Sequence, residues 1–600
     1  MPFDTVAKQS QDLGLSGRIV RQALAGICLV VVLTACGGGG GGGGAGGGGG
    51  GSGPSFSVST HSLSFSASGA AAPTPSPQTV TGTVTGTASG TLYIVVNVTG
   101  PAVASVSNFS VSGNSGQASV SVKLPSSLGF GTFASTLTVH ACLNDPTCAT
   151  GELSGSPQTI NVSYDIASPT LADVAMPHVI AAGMTGSVVL RGSGFTGTTA
   201  VSFGATAAAS FTLVSDSMIR ATYPASLTPG PQAITLTGSQ QAFSGQVVAV
   251  GPQAYAAATL TYPSMPQRIA ALVFDAQRQV LYVGADGWPD SGASQIWIYA
   301  YASGAWGSPA VIAAPELVDL SLSPDGSKLY ALTATSIEVF DAANPTGSPP
   351  ATLPAPFTSP TGPSLLHFAL TNDGNALVQT GIYGGTTVAD TYLYSFASAT
   401  FSDLGNTTQL QSGSDRIGAN LAPSGDGSLV MATQNAANGP SPAIFSYAAV
   451  SGIISPFTGP RDQFGQPWSQ IGYVPMAIDT AGDRIVLTSD NNSWVLDGGA
   501  DVLGALGVNS VQAWVDIVNP QGTRVYELRA DAGLTAAATL HTFDLTAAPT
   551  GLPAAYPEIG APVTQPIPSA TQVLRTAITP DGATLFIAGD AGVAVIPAPN

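Results

Sequence analysis

Between residues 54 and 166 the chain alternates. Phe56-Ser-Val58, Leu63-Ser-Phe65, Leu92-Tyr-Ile94-Val, Ala118-Ser-Val120-Ser-Val122, Thr136-Leu-Thr-Val139 and Thr159-Ile-Asn-Val-Ser-Tyr164 put an apolar residue at every second position, with Ser, Thr or Asn between. Period two is the signature of strands buried on one face. Gly, Ser and Pro clusters separate the runs, so residues 54–166 are expected to form an antiparallel β-sandwich. The same pattern runs through 168–250 and predicts a second sandwich there.

From about 255 the strands come in a repeat: an apolar strand, a tight turn, a second strand, a variable loop and a third strand. Leu317-Val-Asp-Leu-Ser-Leu322 turns at Pro324-Asp-Gly326 into Lys328-Leu-Tyr-Ala-Leu332, and Ile337-Glu-Val-Phe340 follows. Corresponding turns lie at Arg278, Gly374, Gly427, Gly482, Gly522 and Gly582, and the steps through the seven turns are 48, 48, 53, 55, 40 and 60 residues. Such steps fit propeller blades, and Asp-Gly suits two-residue hairpins because Gly accepts positive φ. The last unit ends after three strands, while Ala258-Thr-Leu-Thr-Tyr262 precedes the first unit unclaimed. That segment is predicted to pair as the outer strand of the last unit, closing the ring and removing an exposed edge. The expected fold is all-β: two β-sandwich (Ig-like) domains, 54–166 and 168–250, then a seven-bladed β-propeller, 255–600.

The first 53 residues lack this pattern. Lys8, Arg18 and Arg21 precede an apolar run from Leu24 to Leu33. About ten residues are too few for the ~20 that span a bilayer, but they fit the core of a secretory signal. Residues 37–53 are fifteen Gly with Ala45 and Ser52, a flexible tether with nothing to bury. Leu33-Thr34-Ala35-Cys36 resembles the lipobox of bacterial lipoproteins. The resemblance implies cleavage after residue 35 and acylation of Cys36, so that 1–35 is the signal peptide and 36–53 the lipidated Cys and tether. Gly37 in place of Asp implies the outer membrane, on its periplasmic or surface face.

Composition narrows the partners. The chain has 15 Lys+Arg, 33 Asp+Glu and a net charge of −18. Charged residues make up 8%, against about 25% in ordinary soluble proteins. Nucleic acid is excluded as a partner, because no basic footprint exists to neutralise phosphate. Removing 1–35 takes away three basic and two acidic residues, leaving 12 and 31, a net −19. Charge therefore cannot hold the chain on anionic lipid, and the acyl anchor must.

Candidate chemistry is sparse. Cys142 and Cys148 are the two thiols left in an exported chain once Cys28 leaves with the signal and Cys36 is acylated, and they are expected to form a disulfide. Gly192-Ser-Gly-Phe-Thr-Gly197 matches a dinucleotide fingerprint, but Thr199-Ala-Val-Ser-Phe-Gly204 reads as a strand where the fingerprint needs a helix. Asp490-Asn-Asn492 with Asp497 does not follow the order of a calcium loop. Asp319, Asp479 and Asp516 lie near inner-strand positions of the repeat, and the five His form no metal-spaced pair. No cofactor, metal or catalytic residue is expected. The least regular stretch, 451–473, holds Phe457, Arg461, Asp462, Phe464 and Trp468 among Gly and Pro. Aromatic and Arg side chains favour interfaces, and these five are assigned to a partner-binding loop.

Two further resemblances bear on function. Val188–Leu190, Gly192-Ser-Gly-Phe195, Val201-Ser-Phe-Gly204, Ile219-Arg-Ala-Thr-Tyr-Pro224 and Pro229-Gly230 resemble the IPT/TIG family of Ig-like domains, which implies a spacer, adhesive or dimerising module. Ser323-Pro-Asp-Gly-Ser-Lys-Leu-Tyr330 and Thr579-Pro-Asp-Gly-Ala-Thr-Leu-Phe586 resemble bacterial propellers of the YVTN and tryptophan-aspartate-repeat-like groups. The expected function is a non-enzymatic binding, interaction or adhesion lipoprotein of the cell envelope. It would engage an unknown protein or glycan partner, with the propeller presented on sandwich spacers. The alternative is a lactonase- or lyase-like propeller enzyme acting on a small molecule or glycan.

Overall fold

Alternation in the sequence becomes alternation in burial. Along Ser62–Ala67 residues 63, 65 and 67 are buried and 62, 64 and 66 exposed, and Gln158–Ile166 repeats the pattern. A computed structural model of the chain describes residues 29–34 and most of 53–599. Outside the described residues lie 1–28, 35–52, short gaps, and the longer segments 68–72, 167–172, 287–293, 356–363, 382–390, 405–419, 435–442, 458–475, 507–512, 531–537 and 566–573. Apart from one helical turn at Pro125–Leu128, the described secondary structure is β. The chain forms two compact units, Met1–Ser168 and Pro169–Asn600.

In the first unit a five-stranded and a four-stranded sheet share one core. Phe56, Val84 and Val120 from one sheet meet Phe65, Leu137 and Ile160 from the other. Leu29–Thr34, within the segment assigned to the signal, lies at the edge of the five-stranded sheet, antiparallel to Thr91–Thr99. An apolar strand satisfies the open hydrogen-bonding groups of a sheet edge. Processing before Cys36 would leave Thr91–Thr99 as that edge.

The second unit begins with two further sheets. One holds Val174–Met176, Gly186–Arg191, Met218–Tyr223 and Ser210–Ser215, and the other includes Val179–Ala181, Gln246–Val250, Gly230–Thr237 and Ala200–Phe203. Val188, Leu190, Phe195, Phe203, Ile219 and Val247 pack between them.

Seven antiparallel sheets follow among the described residues. Their first strands are Arg268–Asp275, Leu317–Leu322, Ser364–Leu370, Asn420–Pro423, Met476–Ile478, Ala513–Val518 and Arg575–Ile578. Each first strand neighbours the next, and the seventh neighbours the first, so the sheets close into a ring. Ala258–Thr261 pairs with residues 592–595 of the last strand, Gly592–Pro597, and joins the two ends of the ring.

Two expectations need correction. Each sheet has four main strands, not three. The missed fourth strands, such as Ala351–Pro354, are short and largely exposed, so they lack the alternation that marks a half-buried strand. The turns are also longer than two residues. Leu322 pairs with Leu329, Ser323 and Lys328 close the loop at 2.8 Å, and the Gly326 N–H donates to the Ser323 carbonyl at 2.8 Å. Four-residue loops of this kind are commonly built on a type I turn. The hydroxyls of Ser323, Thr371, Ser424 and Thr579 donate to the carboxylates of Asp325, Asp373, Asp426 and Asp581, two residues on. Those carboxylates stabilise the turn from within, which explains why the motif recurs.

Candidate functional site

The turns between first and second strands all lie on one face of the ring, and the 174–250 sheets dock there. Two arginines make the junction. Arg191, at the end of the apolar strand Gly186–Arg191, is 2% exposed. Its Nε donates to Asn372 Oδ1 at 2.9 Å and its Nη2 to the Ala449 carbonyl at 2.7 Å. Arg220 Nη1 lies 3.2 Å from Asp426 Oδ2 and donates to the Ala481 carbonyl at 3.2 Å. The turn glycines permit close approach. A Cβ on Gly427 would lie 2.7 Å from Met176 Sδ, and one on Gly326 would collide with His178 Nε2. Gly427 and Gly326 have φ of 64° and 65°, where L side chains are strained.

Burial governs the ionisable groups of this junction. It lowers the pKa of Arg191, a shift opposed by Asp373, Tyr447 and Asp426. It lowers that of His178, against the pull of Asp275 and Asp325, and so favours the neutral ring. It raises Asp426, which Arg220 and hydrogen bonds from Ser428 and Ser424 pull back down. Asp479 is pushed up to about 6, chiefly by burial, although it accepts from the Asp483 and Arg484 N–H groups. Tyr447, whose hydroxyl donates to Asp373 Oδ2 at 3.0 Å, is raised well above its usual value by burial.

Two cavities lie between the docked sheets and the ring. One is an open cleft of about 1440 Å³ reaching Arg220, Asp479, Asp483, Arg484 and Asp497. The other, about 310 Å³, lies beneath residues 177–180.

The residues singled out from the sequence fall in several places. Cys142 and Cys148 are joined by a disulfide with Cα atoms 5.4 Å apart. Asp145 anchors that loop, accepting from the backbone N–H and hydroxyl of both Thr147 and Thr150. Those bonds hold its carboxyl well below the usual carboxylate range. Phe457 ends the strand Ile453–Phe457. Cys36, Arg461, Asp462, Phe464, Trp468 and 490–492 lie outside the described residues. Asp319 Oδ2 accepts from the Phe368 N–H at 3.2 Å and lies 3.5 Å from His367 Nδ1, linking two adjacent first strands. Asp479 forms the fifth turn, and Asp516 is buried in the first strand of the sixth sheet. The 192–197 motif wraps the Asp216 carboxylate, which accepts from Thr196 N–H and Oγ1 at 2.9 and 2.6 Å. The strand Ala200–Phe203 follows it, as expected.

The arginine junction was not anticipated. One signal was available: Arg191 ends an otherwise apolar strand in a chain with only 15 basic residues.

No family model matches the sequence, and no curated protein does. Among solved structures the chain is similar to one in the crystal structure of a mitotic checkpoint complex, at 13% identity and a TM-score of 0.40, covering 58% of this chain and 93% of that one. It is also similar to hydrazine synthase of Kuenenia stuttgartiensis, at 13% identity and a TM-score of 0.41, covering 56% and 96%. Likeness of that degree says nothing of what this chain binds.

Proposed function

We propose that this protein is a lipoprotein of the cell envelope, acylated at Cys36 and lifted from the membrane by its glycine tether. A first Ig-like sandwich follows, then a binding head in which an IPT/TIG-like sandwich is mounted on a seven-bladed propeller. The head works as a non-enzymatic interaction or adhesion module for a protein or glycan. The observation that carries the reading is the commitment of one ring face to an internal mount, through Arg191 and Arg220. In each sheet the second and fourth strands run away from that face. The fourth sheet's last strand, Ile453–Phe457, therefore ends on the opposite face, and the segment carrying Arg461, Asp462, Phe464 and Trp468 follows it in sequence. Partner recognition is assigned to that segment.

Two measurements test this. Radiolabelled palmitate should enter the chain and the membrane fraction, and Cys36→Ser should abolish both. Crosslinked pull-down from envelope extract should lose its partner in an R461A/W468A double variant whose near-ultraviolet circular dichroism is unchanged. Soluble, unlabelled wild-type protein would refute the anchor, and undiminished capture would refute the loop.

A further inference from the structure

The chamber of about 310 Å³ sits where the docked sheets cover the turn face of the ring. The docked side supplies His178, Ile180, Ser187 and Tyr223, and the ring supplies residues of six sheets, Phe274, Leu322 and Ile578 among them. Small-molecule sites typically start near ~300 Å³, form preferentially between domains, and combine apolar walls with a few polar groups. Among the described lining residues none is Asp, Glu, Lys or Arg. A charged ligand would lose its hydration there without gaining a counter-ion. Two polar atoms stand out. Ser187 Oγ and His178 Nε2 are each buried without a hydrogen-bond partner, an arrangement that is costly unless something supplies one. The chamber adjoins the cleft of about 1440 Å³, with which it shares Gly186, Ser187, Thr480, Pro520 and Gln521.

We propose that this chamber binds a compact, uncharged, largely apolar small molecule whose hydroxyl or carbonyl oxygen accepts a hydrogen bond from Ser187 Oγ. The site is independent of the lipid anchor and of the 458–475 segment, so it stands or falls apart from the function proposed above.

Benzyl alcohol is the probe, with benzoate and benzylamine as its charged counterparts, and titration calorimetry on the chain from residue 36 onward is the readout. Benzyl alcohol should bind with a dissociation constant on the order of 1 mM or tighter, and both charged probes at least about tenfold more weakly. Ser187→Ala should weaken benzyl alcohol about five- to tenfold. Ser187→Leu, which fills the chamber, should abolish binding. Ile578→Phe narrows the chamber from the ring side and provides the same test should Ser187→Leu fail to fold. Absence of benzyl alcohol binding, equal binding of the charged probes, or binding indifferent to the filling variants would each overturn the proposal and leave a chamber that holds only water.

Discussion

Replacing Arg191 with Met tests the junction most directly. Met keeps an apolar stem of similar reach and removes the guanidinium. Two hydrogen bonds are lost, and Asn372 Oδ1 and the Ala449 carbonyl lose a donor inside a buried contact. Asp373 and Asp426 lose a nearby positive charge. Hydrogen bonds from a charged donor contribute about 1.5–3 kcal/mol each, and removing one partner of a buried charged contact costs about 3–5 kcal/mol. Relief of the guanidinium's own burial cost works in the opposite direction, so the expected loss is about 3–5 kcal/mol rather than the sum. Amide hydrogen exchange of Gly186–Arg191 provides the assay, because opening those strands also requires breaking the junction. At ~1.4 kcal/mol per tenfold, their protection should fall by about two to nearly four powers of ten. R191K keeps the charge but not the two-directional fork, and should recover only part of the loss. Combining R191M with N372A should be non-additive by about 0.5–3 kcal/mol. Protection within threefold of wild type, or strict additivity, would refute the assignment of Arg191 as the pin.

Other outcomes follow from the same contacts. Gly374 has a φ of 78° and open space around a built Cβ, whereas Gly427 has Met176 Sδ and the Asn372 backbone N within 3 Å of one. G374A should therefore cost only the backbone strain of about 1–2 kcal/mol and G427A clearly more, as read from melting temperatures; the reverse order would contradict the docking. Asp479 has a raised folded-state pKa, so its proton favours the folded state below the unfolded value of 3.8, and this contribution is lost as pH rises to about 6. Relative to D479N, wild type should weaken across that window by about 3 kcal/mol, measured by urea unfolding at each pH; a flat difference would sink the assignment. Replacing Cys142 and Cys148 with Ser should lower the stability of the first unit by about 2 kcal/mol in the chain-entropy account, seen as a shift of its urea midpoint.

Much of the β architecture was legible because the features that form it are local. The Ser/Thr-Pro-Asp-Gly turn is made within six residues, by a hydroxyl, a carboxylate and a positive-φ glycine, so it shows in sequence. So does the alternation of Ser62–Ala67. The fourth strands were missed because exposed edges such as Ala351–Pro354 carry no burial pattern. The junction was missed for a different reason. Arg191 and Ala449 are 258 positions apart, and nothing near either announces the other. Residues 168–250 therefore read as a spacer, whereas they pack in one unit with the ring.

The junction also fixes where a mechanical load would travel. A pull applied from the N-terminal side of residue 169 reaches the 174–250 sheets before the ring. Without the arginines, more of it would pass along 251–257, where Gln253 bonds to Asp581 and Ala276 and Tyr255 to Thr584, to Ala258–Thr261, the strand that pairs across the ring's ends. Peeling that strand would unzip the circle. Arg191 and Arg220 instead hand tension to the third, fourth and fifth sheets through Asn372, Ala449, Asp426 and Ala481. The clasp is thereby relieved, and force can cross the interior of this unit without being carried by the pairing of Ala258–Thr261 alone.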